Sequence, residues 1–123
     1  MISPSILIFN YTEAEQKAWS FLLRGFPGVR VLPVSRGQFG LTLEQLLAGE
    51  KGLSFGSSFD TRMAVFCEVP GPILSLLIDI SKQVTRQKAY KAVLTDSNKG
   101  WSASTLFSHL QEEEAEILRA GQK

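Results

Sequence analysis

The chain has 123 residues, of which 44% are hydrophobic and 20% are charged, and its formal net charge is +1. This length allows one domain with a sizeable core, and the composition is that of an ordinary globular protein, neither disordered nor membrane-embedded. Because acidic and basic residues nearly cancel, the strong basic excess of most nucleic-acid-binding domains is excluded. Cys67 and His109 are the only cysteine and histidine, so neither an intrachain disulfide nor a Cys/His zinc site is predicted.

The N-terminal stretch MISPSILIFN predicts a strand and no export signal. It has no basic leader, and its apolar run is too short for a signal peptide or a membrane span, so we expect a cytoplasmic protein. Residues 6–9 are continuously apolar, which is typical of a strand buried on both faces.

Helix and strand signals alternate along the next part of the chain. Thr12 and Glu15 have the spacing of a capping box, which predicts the start of a first helix. Residues 29–34 alternate and contain a proline, which cannot donate to a central ladder, so we expect an edge strand. Thr42 and Gln45 form a second capping box and predict a second, shorter helix.

The remaining elements follow a polar, glycine-rich stretch at residues 48–62. Residues 63–69 predict a third strand, and the Gly-Pro pair at 71–72 predicts a third helix with proline in its first turn. Residues 90–95 predict the last strand, and the last helix runs from about 103 toward 120. No internal repeat is evident in the sequence.

The junction between the last strand and the last helix combines turn residues with a tryptophan. Asn98 can bond its own backbone, Gly100 permits a sharp turn, and Ser102 has the character of a helix N-cap. Trp101 then precedes the cap and can pack on Leu106 as a hydrophobic staple. Alternatively, the indole N–H and the polar turn could line a ligand site, because α/β folds place sites at the carboxyl ends of strands.

This junction resembles a family motif in which an apolar strand ending in Leu-Thr leads through Asn to Trp and a Glu-rich helix. The residues that carry the resemblance are 92–95, Asn98, Trp101 and Leu106. The pattern is similar to domain of unknown function 3783 (DUF3783), a prokaryotic family. The resemblance is clearest over residues 63–114 and has a weaker echo at 37–47, and Asp96 stands where the family pattern has a proline. The resemblance implies no activity.

Four strands alternating with four helices predict an α/β fold, a small three-layer sandwich with a mostly parallel sheet. The order 2-1-3-4 places the two most apolar strands in the centre and the proline-bearing strand at an edge. This pattern is that of a shortened flavodoxin-like fold, with one domain over residues 1–123. The direction of the last strand stays open.

In that strand order a small ligand is expected at the carboxyl edge, where strands one and three meet. The predicted ligand contacts are the polar and aromatic residues of that edge: Asn10, Tyr11, Glu68, Thr95, Asn98 and Trp101. Residues 48–62 would then act as a lid. The stretch NYTEAE after strand one has no phosphate-binding glycine pattern, which argues against dinucleotide and P-loop binding, and no cofactor is predicted.

No catalytic or metal-binding residue is predicted. Cys67 lies inside an apolar strand, which favours a small buried hydrophobe over a nucleophile. His109 lies beside Ser108 without an evident Asp partner, which favours a surface histidine over a triad member. Basic residues between 82 and 91 could contact RNA, but the dipole at a helix C-terminus favours cations there without any ligand.

Two functions therefore stay open. The favoured one is a small non-enzymatic module that binds a protein partner or forms a homodimer. Its basis is the apolar stripe of the last helix, which is interrupted by acidic residues and resumes at Ile117 and Leu118. An uncovered edge strand at 91–95 could serve the same purpose. The alternative is a small-ligand sensor or enzyme that uses the carboxyl edge.

Overall fold

The computed structural model describes residues 3–56 and 59–121, and within them it shows a four-stranded sheet with four α-helices. The strands are β1 (Ser5–Phe9), β2 (Arg30–Val34), β3 (Arg62–Cys67) and β4 (Ala89–Val93). The helices are α1 (Glu13–Leu22), α2 (Leu43–Leu47), α3 (Gly71–Val84) and α4 (Ala103–Ala120). The strand order is β2-β1-β3-β4, so the predicted α/β class and order are confirmed.

The direction of the central strand pair differs from the prediction. β1 and β2 are parallel, and so are β3 and β4, which decides the direction of the last strand. β1 and β3 are antiparallel, with Ser5 opposite Cys67 and Phe9 opposite Met63. The sheet is mostly parallel but mixed, and the expectation that strands one and three share a carboxyl edge is wrong. The physical reason is that an apolar run buried on both faces has the same pattern read in either direction.

Helices cover both faces of the sheet, so successive side chains of the central strands enter two different cores. One core packs against α2 and α4 and includes Leu7, Phe9, Met63 and Val65. The other packs against α1 and α3 and includes Ile6, Ile8, Ala64 and Phe66. Among the described residues, no helix combines the length and the apolar character needed to cross a membrane.

The predicted helix starts are confirmed by their hydrogen bonds. Thr12 and Glu15 close the capping box of α1, and Thr42 and Gln45 close that of α2. Ser102 caps α4, because its Oγ accepts from the N–H of Thr105 at 3.1 Å. Each such cap is worth about 1 kcal/mol.

An approximate two-fold axis relates the two halves of the chain, each of which runs strand, helix, strand, turn and helix. Leu7 lies opposite Val65 at the centre of the antiparallel pair. The turns before α2 and α4 also pair across the axis. There Leu43 N–H donates to the Trp101 carbonyl at 3.0 Å, and Ala103 N–H donates reciprocally to Leu41 at 3.3 Å.

The same symmetry continues into the first turns of both helices. Glu44 N–H donates to the Lys99 carbonyl at 3.1 Å, and Ser104 N–H donates to the Phe39 carbonyl at 3.2 Å. The structure therefore contains a repeat, which the sequence indicated only through the weak echo at residues 37–47. Different side chains can close equivalent turns and caps, so the backbone repeats while the residues diverge.

Candidate functional site

The antiparallel central pair divides the predicted ligand site between opposite edges of the sheet. Asn10 and Tyr11 follow β1 and lie where β3 begins; we call this the Asn10 edge. Glu68 follows β3 and lies where β4 ends, near Thr95; we call this the Glu68 edge. The predicted single site is not formed, because antiparallel strands end at opposite edges.

Asn10 anchors the chain that leads into β3. Its φ angle is 67°, a left-handed conformation that Asn tolerates better than most residues. Its Nδ2 donates to the carbonyls of Phe59 at 2.7 Å and Thr61 at 3.1 Å. Its amide donors are therefore engaged by the protein itself.

The connection between α2 and β3 packs on the body of the protein at this edge. The Phe59 ring stacks between those of Phe39 and Phe107, with centroids 4.5 Å and 4.1 Å away. Only 6% of Phe59 is exposed. The stretch that the sequence assigned to a lid thus contributes a side chain to the core.

The same connection pairs with the turn before α2. Ser54 N–H donates to the Gly37 carbonyl at 2.9 Å, and Gly40 N–H donates to the Ser54 carbonyl at 2.6 Å. A Cβ atom at Gly40 would lie 2.6 Å from that carbonyl oxygen, so this close approach requires glycine. In residues 48–56 and 59–61 the connection contains neither helix nor strand, yet it is fixed by these contacts.

A partly buried polar cluster lies next to Asn10. Arg62 Nε donates to Glu15 Oε1 at 2.7 Å, and their side chains are only 19% and 14% exposed. Burial raises the pKa of Tyr11 to about 12, and the nearby Glu15 charge adds to this. Burial acts to raise the pKa of Glu15 too, but the hydrogen bond from Arg62 leads the contacts that lower it overall. The ion pair ties α1 to the start of β3.

The sequence did not point to this cluster or to Trp19 beside it. Trp19 is fully buried, and its ring meets that of Tyr11 edge to face at 5.8 Å. Neither the Tyr11 hydroxyl nor the Trp19 indole N–H has a hydrogen-bond partner among the described residues. The burial of Trp19 could have been inferred from helical spacing, because Trp19 lies four residues before Leu23 and shares its helix face. No local pattern in the sequence links Arg62 to Glu15.

The Glu68 edge holds an open pocket of about 460 Å³. Glu68 has a positive φ of 57° and is exposed. The pocket is lined by charged, polar and aliphatic side chains: Glu44, Leu47, Glu68, Leu94, Thr95, Asp96 and Lys99. The structure thus brings together Glu68 and Thr95 from the predicted set, with three carboxylates and one ammonium group around the opening.

Asn98 and Trp101 are engaged in the junction itself. Asn98 Oδ1 accepts from the Thr95 N–H at 2.8 Å, and its Nδ2 donates to the Val93 carbonyl at 3.1 Å. The Trp101 ring stacks on His109 at 4.3 Å and packs against the α2–α4 core. These contacts match the structural interpretation of the junction.

Cys67 and His109, the two residues considered for catalysis, are accounted for by burial and by a ring contact. Cys67 is fully buried, and burial raises its thiol pKa to about 12, with the Glu68 charge adding to this, so the thiol is protonated at neutral pH. His109 is exposed and stacked on Trp101. Within residues 3–56 and 59–121, no cluster of three His, Cys, Asp or Glu side chains is arranged to hold a metal.

The fold and its two edges define a small α/β protein built from two strand–helix–strand–helix units. Residues 62–117 match the model of a family described as domain of unknown function (DUF3783). The resemblance seen in the sequence is therefore confirmed over this range, which covers β3, α3, β4 and most of α4. The echo at 37–47 lies outside the match, in the first unit. No curated protein and no solved structure matches the chain significantly.

Proposed function

We propose that the protein acts by binding protein chains, and that the free end of α4 contacts a second copy of the chain. The observation that carries this proposal is the exposure of Ile117 and Leu118, 71% and 61%, on an otherwise anchored helix. α4 has 18 residues and is about 27 Å long, whereas strands of five or six residues span about 17–20 Å. Residues 115–121 are all exposed, so the last turns of α4 lie beyond its contacts with the sheet.

The apolar stripe of α4 supports a continuous contact surface. Leu106 and Leu110 of this stripe pack in the core, and Glu114 one turn later bonds Lys88 and the Tyr90 hydroxyl. Ile117 and Leu118 continue the same stripe at helical spacing, beyond the last of these contacts.

Charge complementarity favours a second copy as the partner. In an antiparallel pairing of two α4 ends centred on Ile117 and Leu118, Arg119 of one copy approaches Glu116 of the other, and both are exposed. Such a two-fold contact is self-complementary. Because the apolar area is small, we expect a weak, concentration-dependent dimer.

The other functions considered from the sequence have less support. A small-ligand site would rest on Glu68 and Thr95, since Asn10 and Tyr11 lie at the opposite edge. For RNA binding, two cations of the basic group already have acidic partners. Lys82 lies 3.6 Å from Asp79, and Lys88 bonds Glu114.

Sedimentation velocity over a wide concentration range tests the proposal. The wild-type protein should shift from monomer to dimer as concentration rises, and a variant with Ile117→Glu and Leu118→Glu should stay monomeric. Leu76→Glu is the matched control, because Leu76 is an aliphatic residue 51% exposed on α3. A wild-type protein that stays monomeric at every concentration, or a double variant that dimerises like it, would exclude this contact.

A further inference from the structure

The approximate two-fold axis gives residues of the Asn10 edge counterparts at the Glu68 edge. Asn10 corresponds to Glu68, because each directly follows a central strand with a positive φ angle. Phe39 corresponds to Lys99, because their carbonyls accept the reciprocal bonds from Ser104 and Glu44. By the same relation, Phe107 corresponds to Leu47, Gly37 to Ser97, Gly40 to Gly100 and Arg36 to Asp96.

The Asn10 edge is filled by the chain's own connection. Ser54 pairs with the backbone of Gly37 and Gly40, and the Phe59 ring lies between Phe39 and Phe107. This edge therefore binds the connection through two backbone hydrogen bonds and one large inserted side chain.

The equivalent place at the Glu68 edge is open. No described residue hydrogen-bonds the Ser97 carbonyl or the Gly100 N–H, the counterparts of the two groups that bind Ser54. A Cβ atom at Gly100 would meet nothing within 4 Å, whereas one at Gly40 would lie 2.6 Å from the Ser54 carbonyl oxygen. The pocket of about 460 Å³ lies here, and its wall includes Leu47 and Lys99, the counterparts of the two rings that hold Phe59.

We propose that the Glu68 edge binds a segment of a partner protein in the way that the Asn10 edge binds the chain's own connection. The segment pairs its backbone with the Ser97 carbonyl and the Gly100 N–H. A large side chain of the segment enters the pocket between Leu47 and Lys99. This site is separate from the end of α4 and does not depend on self-association.

The charges of the pocket define the chemistry of the partner. In the filled edge, Asp60 follows the inserted Phe59 and pairs with Arg36. The counterpart of Arg36 is the acidic Asp96, and the carboxylate of Glu68 replaces the donating amide of Asn10. The segment that fits carries an aromatic residue directly followed by Arg or Lys. Lys99 stands where the filled edge has Phe39, and its ammonium group can lie over the face of the segment's aromatic ring.

Charge also disfavours a second copy's own connection as the occupant. That connection carries Phe59 followed by Asp60, whose carboxylate would face Asp96 and Glu68. Like charges that face each other disfavour binding, so an exchange of connections between copies is not the expected use of the site.

Amide chemical-shift titration of the full chain tests this proposal. The probe is the peptide GLSFGSSFRT, which is residues 52–61 with Asp60→Arg. We expect shifts at Ser97, Gly100 and Leu47 up to millimolar peptide. The unchanged peptide GLSFGSSFDT should bind about tenfold more weakly through loss of the charge pair, and GLSFGSSART should also bind more weakly because it lacks the aromatic ring.

Gly100→Ala provides a variant that separates binding from folding. Its added methyl group meets open space in the free protein but occupies the place of the peptide carbonyl, by analogy with Gly40. The variant should keep wild-type stability and lose the shifts, while Asp96→Arg should reverse the preference toward GLSFGSSFDT. Absence of shifts at Ser97 and Gly100 with the Arg peptide, or unchanged binding to Gly100→Ala, would overturn the proposal. Neither outcome affects the test of α4.

Discussion

Asn10 and Glu68 hold equivalent positions at opposite edges of the sheet, each as the first residue after a central strand and each with a positive φ angle, 67° and 57°. Their side chains differ in what they do there. Asn10 donates to two carbonyls of the connection, whereas Glu68 lines an open pocket. One backbone geometry thus closes one edge and leaves the other accessible.

Substitution of these two residues should therefore have opposite effects on stability. Asn10→Gly removes both hydrogen bonds without adding backbone strain, and should lower the free energy of unfolding by about 1–3 kcal/mol. Glu68→Gly removes the strain of a non-glycine residue in the left-handed backbone conformation. This substitution should therefore raise the free energy of unfolding, by no more than about 1 kcal/mol. Urea denaturation of both variants measures the difference; equal losses would contradict the assigned roles.

Tyr11→Phe should change the alkaline stability and little else. The ordinary tyrosine pKa of 10.0 is raised to about 12 in the folded protein. The unfolded chain therefore loses its proton first, so the stabilising contribution is complete below pH 10 and is lost as pH rises from 10 to 12. The slope is about 1.4 kcal/mol per pH unit.

The measurement is urea denaturation from pH 7 to pH 11 for both proteins. Near pH 7 the variant should equal or exceed the wild type, because the hydroxyl has no hydrogen-bond partner among the described residues. Above pH 10 the wild type should lose stability faster than the variant. Cys67 contributes equally to both proteins, so the difference isolates Tyr11, and parallel curves would contradict its burial as the cause.

Glu15→Gln should remove an acid-dependent part of the stability. The folded-state pKa of Glu15 is lowered from 4.5, so its contribution is present above that value and is lost as pH falls through the folded pKa. Gln can still accept the Thr12 N–H in the capping box, so the variant removes the charge and keeps the cap. We expect a loss of about 2 kcal/mol at pH 7, because Gln still accepts from Arg62 Nε but no longer carries the charge that balances the guanidinium.

A pH series of unfolding free energies from 3 to 7 tests this prediction. The wild-type curve should fall toward acid, and the curve of Glu15→Gln should be flatter. Lys17→Met is a suitable control, because the pair between Lys17 and Glu13 is exposed and its loss should cost about 0.5 kcal/mol or less. An equally steep curve for Glu15→Gln would assign the acid dependence to other groups.

Phe59→Ala should leave a cavity between Phe39 and Phe107 and should lower the free energy of unfolding by about 3–5 kcal/mol. The Gly40 amide, which donates to Ser54, should then exchange its hydrogen faster. Phe55→Ala is the matched control in the same connection, because Phe55 is 77% exposed and should cost less than about 0.5 kcal/mol. Similar losses in both variants would show that Phe59 does not fix the connection.

Local patterns in the sequence were enough to predict the features that depend on neighbouring residues. The capping boxes at Thr12 and Thr42 and the N-cap at Ser102 involve partners three positions away, so spacing suffices to predict them. The proline of β2 and the continuous apolar runs of β1 and β3 likewise determined which strands lie at an edge and which lie in the centre.

The direction of the central strand pair could not be predicted from local patterns, and neither could the division of the predicted site that follows from it. The same is true of the pairing of Arg62 with Glu15, 47 positions apart, and of the anchoring of Phe59 by Asn10, 49 positions apart. Such contacts depend on how the chain returns to the sheet, which local patterns do not encode. The two-fold relation between the halves was largely hidden for the same reason, because backbone hydrogen bonds carry it while most side chains outside the echo at 37–47 differ.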